Sequence, residues 1–175
     1  MVAPQEISQS LLNVAIADVR RAHTVTPGAR QWLQDAADQP VEPIAVDVWV
    51  LDRQLANIVL VKHRWRRWIP PGGKVEPDET PREAAGREML EETGLSADLL
   101  DRPALATRRA YHPTWPTTLG LSYVTFADRS DRLVPEPGQP ASWVALSRQW
   151  DSYFPDDHAR INAYVALARL RHDVS

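Results

Sequence analysis

Between Arg64 and Glu79 the chain reads RWRRWIPPGGKVEPDE, and this stretch limits the folds open to the molecule more than any other. Two adjacent prolines remove backbone donors and two adjacent glycines free the main chain, so no single helix or strand can run through it. A helix with clear ends follows at once. Thr80 suits the N-cap, Pro81 the first helical position and Glu83 the far side of a capping box, while Gly94 suits the left-handed terminus after Thr93. A glycine loop delivering the chain into a capped helix is therefore the fixed point around which the rest must be arranged.

That helix ends in REMLEETGL, Arg87 to Leu95, with three carboxylates close together. Positions three and four apart are neighbours on a helix, so Glu88, Glu91 and Glu92 fall within one arc of about 100°. Like charges so placed repel, and the repulsion grows as water is withdrawn. Two readings answer it. In one, the face is solvated and laced with ion pairs, Glu83 to Arg87 and Arg87 to Glu91, each contributing roughly 0.3 to 0.5 kcal/mol. In the other, a hard cation sits among the carboxylates. Glycines that let backbone approach a ligand, together with carbonyl and carboxylate oxygens, make the donor set Mg²⁺ prefers, completed by substrate phosphates.

Spacing separates the two readings. From Gly73, five residues lead to Glu79, seven more to Arg87, and then Arg87-Glu88-Met89-Leu90-Glu91-Glu92-Thr93-Gly94-Leu95. This resembles the Nudix box, G-x5-E-x7-R-E-U-x-E-E-x-G-U with U a bulky aliphatic residue, at every fixed position; Met89 stands where Ile, Leu or Val is usual. The resemblance implies an α/β Nudix fold, an α/β/α sandwich with a mixed β-sheet, over residues 42–175, with residues 1–41 as an N-terminal helical appendage. It implies metal binding by Glu88, Glu91, Glu92 and the carbonyl of Gly72, with Mg²⁺ the cofactor and Mn²⁺ an alternative. Arg87 would orient the carboxylates, and Gly73, Glu79 and Gly94 would support the box. Implied too is hydrolysis of the phosphoanhydride in a nucleoside triphosphate, or in a nucleoside diphosphate linked to another group, with Glu88 as first choice of general base among the catalytic residues Arg87, Glu88 and Glu92.

Glu136 is the second choice of base. It lies in PEPGQPASW, whose Gln139, Pro140 and Trp143 resemble the Gln-Pro-x-x-Trp segment of MutT-type enzymes, although the loop glutamate of that segment is displaced here by one position, with Pro137 in its place. A surface glutamate is the plainer reading. Substrate contacts fall to Arg64, Arg66 and Arg67, which can reach phosphate oxygens or simply face water, to Trp65, which can stack on a base, and to Tyr111, placed where family members acting on dinucleoside polyphosphates often carry a tyrosine. Trp68 serves stacking or core packing, and His112 is read as structural.

Elsewhere the pattern is less individual. Ile7, Leu11, Leu12, Ala15, Ile16 and Val19 recur at helical spacing, and RQWLQDAA reads as a second short helix stopped by Pro40. IAVDVWVLD, NIVLVKHR, ALATRRAYH, LGLSYVTFAD and SWVAL read as strands, RSDRLVPEPGQPA as a long functional loop, and DDHARINAYVALARLRH as an amphipathic helix with Ile161, Tyr164, Val165 and Leu167 or Ala168 facing inward. The N-terminal helices suit packing on the body, a dimer contact or a lid, and a homodimer is expected.

Composition removes other classes. With no cysteine there is no disulfide, thiolate nucleophile or Cys-bound zinc, and isopentenyl diphosphate isomerases, which share the fold, need a catalytic cysteine. A net charge of −3 argues against stable nucleic-acid binding. No apolar run reaches the roughly 18 to 20 residues that cross a bilayer, and arginines follow the first apolar segment rather than precede it, so a cytoplasmic protein with no membrane partner is expected. The competing function is a catalytically modest Nudix module that senses a ligand or docks a partner; the survival of every box carboxylate speaks for the enzyme, with a small nucleotide as its partner.

Overall fold

Strands β2 (Ile44–Asp52), β3 (Asn57–His63), β7 (Thr118–Ala127) and β8 (Ala141–Ala145) form where β-branched and aromatic residues concentrate, and β6 (Leu105–Arg109) pairs with β7. The computed structural model describes residues 7–36, 38 and 43–172. The helix stop expected at Pro40 and the boundary expected at 41/42 lie outside those residues. Short strands β1 (Thr24–Val25), β4 (Arg67–Ile69) and β5 (Gly72–Lys74) and helices α1 (Gln9–Arg21), α2 (Pro27–Asp35), α3 (Pro81–Thr93) and α4 (Asp157–His172) complete the described elements. This is an α/β chain with a mixed sheet of eight described strands, β1 and β6 supplying a parallel pair.

The chain gathers into two units. One comprises Met1–Val48, Gly72–Glu88 and Leu99–Val124, the other Trp49–Pro71, Met89–Asp98 and Thr125–Ser175, and β2, α3 and β7 each run from one into the other. In the first, the strand order is β1-β6-β7-β2, with β5 pairing antiparallel to β2 through Asp47↔Gly72 and Val46↔Gly73. Ser8 caps α1 by accepting from the N–H of Leu11, and Thr26 caps α2 by accepting from that of Ala29. Leu12, Ala15 and Val19 of α1 and Ala29 and Trp32 of α2 are buried. Asp18 is buried with them because it accepts a 2.6 Å hydrogen bond from the Tyr123 hydroxyl.

In the second unit β3 pairs with β2, β4 and β8, all antiparallel. The β2–β3 turn is held by Asp52, whose Oδ1 accepts from the N–H groups of Ala56 and Asn57. Helix α4 buries Ile161 and Val165, and Tyr164 meets Trp49 edge to face at 5.7 Å. Of the two residues left open at the next turn, Ala168 is half-buried and Leu167 is 52% exposed. Among the described residues no helix is long and apolar enough to cross a membrane.

Candidate active site

The loop after β5 and the start of α3 are locked by reciprocal capping. Thr80 donates its N–H to Glu83 Oε2 at 2.7 Å and its hydroxyl to the same oxygen at 2.8 Å, while the N–H of Glu83 reaches Thr80 Oγ1 at 3.2 Å. With the first turn fixed, Arg87 falls two turns along and becomes the centre of the acidic cluster. Its Nη2 and Nε donate to the two oxygens of Glu79 at 2.6 and 3.0 Å, its Nη1 donates to Glu88 Oε1 at 2.7 Å, and Nη2 also reaches the carbonyl of Lys74 in β5 at 3.2 Å. One guanidinium thus holds the helix, the strand and the intervening loop together in a bidentate geometry that lysine cannot reproduce. The Glu79 carboxyl is held below its ordinary value by these hydrogen bonds, against the opposing effect of burial, and the Arg87 guanidinium is raised by the same bonds.

The adjacent glycines have separate tasks. A Cβ on Gly73 would land on the Glu88 carboxylate, and a Cβ on Gly72 would meet the Val46 carbonyl and Asp47, whose Cα and Cβ would lie only 2.7 and 2.9 Å away. Neighbouring residues of a strand face opposite sides. Glu88 therefore packs against one side of β5 and Asp47 against the other. Further along α3, Glu91 is exposed and Glu92 is buried at 7% exposure. Beyond Thr93 the helix ends on Gly94 with φ +74°, where a side chain would also meet Val134.

Among the described residues no three carboxylate or imidazole side chains stand already gathered around one point. The available donors nonetheless suit a hard divalent cation. They are carboxylate oxygens of one helix, with Glu88 lodged against the backbone of β5 where Gly73 leaves the space and the carbonyl of Gly72 belongs to the same short strand.

The basic hairpin is a packed cluster. Trp65 meets His63 at 5.3 Å and Tyr153 at 5.2 Å, both edge to face, and Arg66 lies over its ring at 4.5 Å. Arg67 pairs with Asp151 at 2.6 Å, whereas Arg64 is exposed and Trp68 half-buried. Burial, with Arg66 and Arg64 nearby, lowers the pKa of His63, whose Nδ1 accepts from the N–H groups of Trp65 and Arg66. Glu136 begins a turn closed by the N–H of Gln139, with Pro137 and Gly138 (φ +82°) at its centre as a type II turn requires, and Gln139 Nε2 donates to Glu136 Oε2 at 3.0 Å. That loop is tied to the end of α3, since the N–H of Val134 donates to the carbonyl of Thr93 at 2.8 Å.

Tyr111 is buried, with its hydroxyl against Gly120 and the Arg109 guanidinium 5.2 Å over its ring. Arg109 in turn reaches Asp47 at 3.5 Å. Asp47 and Arg109 lie outside every motif of the sequence. An acidic residue amid the apolar run IAVDVWVLD was the available signal, since a carboxylate there needs a partner. The His112 ring lies 5.2 Å from that of Trp115, tilted by 32°, and its Nδ1 accepts from the N–H of Thr114.

The putative 8-oxo-dGTP diphosphatase YtkD of Bacillus subtilis (strain 168) is 47% identical over 57 residues, 33% of this chain and 36% of that protein. An RNA pyrophosphohydrolase of Erythrobacter litoralis (strain HTCC2594) is 59% identical over 34 residues, 19% of this chain and 21% of that protein. The chain thus spans about a third or less of these curated relatives. A NUDIX family hydrolase from Clostridium perfringens shares the fold, with a TM-score of 0.60 at 19% identity, over 71% of this chain and 97% of that one. The family model described as the NUDIX domain matches residues 41–165. The chain belongs to the NUDIX domain family.

Proposed function

We propose that this chain is a Mg²⁺-dependent hydrolase of nucleotide phosphoanhydrides. Its substrate is a nucleoside triphosphate or a nucleoside diphosphate linked to a further group, and its products are a nucleoside monophosphate or phosphate ester and a second phosphorylated fragment. The observation that carries this reading is the lodging of Glu88 against the glycine strand, with Arg87 clamping it to Glu79. A solvated face needs neither a side-chain-free cradle nor a bidentate clamp. The names of the two curated relatives, a diphosphatase and a pyrophosphohydrolase, support the same reaction class.

Glu88, Glu91, Glu92 and the carbonyl of Gly72 would hold the cation, with Mn²⁺ able to replace Mg²⁺. When bound, it supplies charge neutralisation at the phosphate oxygens and acidifies water. The remaining work belongs to the chain. Water oxygen forms a bond to phosphorus in line with the bridging oxygen, the phosphoanhydride P–O bond breaks toward the leaving phosphate, and Glu88 takes the water's proton at its carboxylate. Arg87 keeps Glu88 aimed, while Glu79 keeps Arg87 from turning to solvent. Glu136, on a loop anchored to the end of α3, is the second candidate base.

The test is a panel of nucleoside triphosphates and nucleoside diphosphate derivatives incubated with Mg²⁺, with products identified by mass. Wild type is expected to split at least one class at a phosphoanhydride. Glu92→Gln is expected to lose nearly all of that turnover while remaining folded, and wild-type-like activity in this variant would contradict the assignment.

A further inference from the structure

Strand β5 is only three residues long and two of them are glycines, so its own hydrogen bonds to β2 leave it soft. What packs beside it must set its position. Asp47 lies beside Gly72, in register with it across β2 and β5, and its Cα and Cβ stand where a side chain at position 72 would go. Asp47 is held by Arg109, and both side chains are sheltered, at 10% and 14% exposure. Arg109 lies on the face of Tyr111, and the Tyr111 hydroxyl occupies the space that a side chain at position 120 would fill. Gly120 is itself fixed opposite Thr107 in the β6–β7 pair. These contacts form one continuous series from Gly120 through Tyr111, Arg109 and Asp47 to Gly72, on the side of β5 opposite Glu88. An ion pair so sheltered is screened little by salt, and removal of one partner strands the other charge.

We propose that Asp47, Arg109 and Tyr111, seated on Gly120, are positioning residues that brace β5 through its partner strand β2 and so fix the Gly72 carbonyl where the cation site needs it. The inference rests on the hydrolase reading for the carbonyl's purpose, but the brace itself is a property of the metal-free protein. It gives Tyr111 a task separate from substrate contact, and makes Gly120 necessary because any larger residue there would evict the tyrosine.

Two readouts test it on the full chain: hydrogen exchange of the amides of residues 73–75 without metal, and Mn²⁺ affinity by calorimetry. Arg109→Gln is expected to speed exchange in β5 by about tenfold or more and to weaken Mn²⁺ binding by about tenfold, with kcat falling and nucleotide KM little changed. Arg109→Lys should recover part of both effects. Gly120→Ala, which leaves every charge in place, should reproduce them by displacing Tyr111, and it carries the test if Arg109→Gln does not fold. Unchanged β5 exchange in folded Arg109→Gln and Gly120→Ala would overturn the brace, as would a rise in nucleotide KM with exchange and Mn²⁺ affinity unaltered, which would make Arg109 a substrate contact. If wild type itself binds no Mn²⁺, the hydrolase reading fails, and the exchange rates still decide whether β5 is braced.

Discussion

Arg87 bears more of the site than any other single residue, because four of its N–H donors are spent on a helix carboxylate, a loop carboxylate and a strand carbonyl at once. The Glu79 carboxyl lies below its ordinary value of 4.5, chiefly through the hydrogen bonds from Arg87. A lowered acid contributes stability that is complete above its unfolded value and disappears as pH falls through the folded one. Glu79→Gln is therefore expected to cost about 1.5 to 3 kcal/mol near neutrality, with the gap from wild type beginning to close below pH 4.5. Urea unfolding of both proteins across that range checks it, and a gap that stayed constant into acid would refute the pairing. At Gly73, the three atoms nearest an added methyl all belong to the end of the flexible Glu88 side chain. Gly73→Ala should stay folded while losing about a hundredfold or more in kcat, measured as steady-state turnover beside a thermal melt. Gly73, Glu79 and Glu88 were legible in the sequence as box positions, and Gly72 as the residue just before the box. Asp47 and Arg109 were not, because their significance arises from the strand order β6-β7-β2, which brings together side chains 62 positions apart.

At the scale of elements, α3 was legible to the residue because each end carries its own chemistry, a capping box at Thr80 and Glu83 and a left-handed glycine at Gly94. Strands β1, β4 and β5 were not legible. With two or three residues apiece they show no alternation, and β1 exists because β6 offers Leu105 and Ala106 to pair with Thr24 and Val25. The terminus of α3 also seats the proline-rich loop through Val134. Gly94→Ala is accordingly expected to lower stability by about 1 to 2 kcal/mol from backbone strain alone, with a further loss from displacing Val134. Thermal unfolding measures the first effect, and faster proteolysis within residues 128–140 would report the second. A variant as stable as wild type, with the loop equally protected, would contradict this account of the helix end.

Taken as a molecule, the chain uses its N-terminal segment as more than a covering. The Asp18 carboxylate reaches Tyr123 in the core of its unit, and Arg82 at the start of α3 lies 5.1 Å over the same ring while donating to the carbonyls of Leu99, Leu100 and Asp101. Arg21 also donates to the carbonyl of Asp101, and Arg102 donates back to that of Arg21. Tyr123→Phe would leave a buried carboxylate without its phenol and is expected to destabilise by about 1.5 to 3 kcal/mol, read from chemical denaturation. A loss of under half a kcal/mol would show the bond to be incidental.

Above these predictions stands the matter of whether a divalent cation belongs among the carboxylates of α3. Calorimetric titration of Mn²⁺ into wild type and into Glu92→Gln, each with a non-hydrolysable nucleotide present, addresses it without reliance on turnover. Saturable binding in wild type, weakened by about tenfold or more in the variant, is the expected result. Superimposable titrations from two equally folded proteins would mean that the acidic helix serves some purpose other than holding metal.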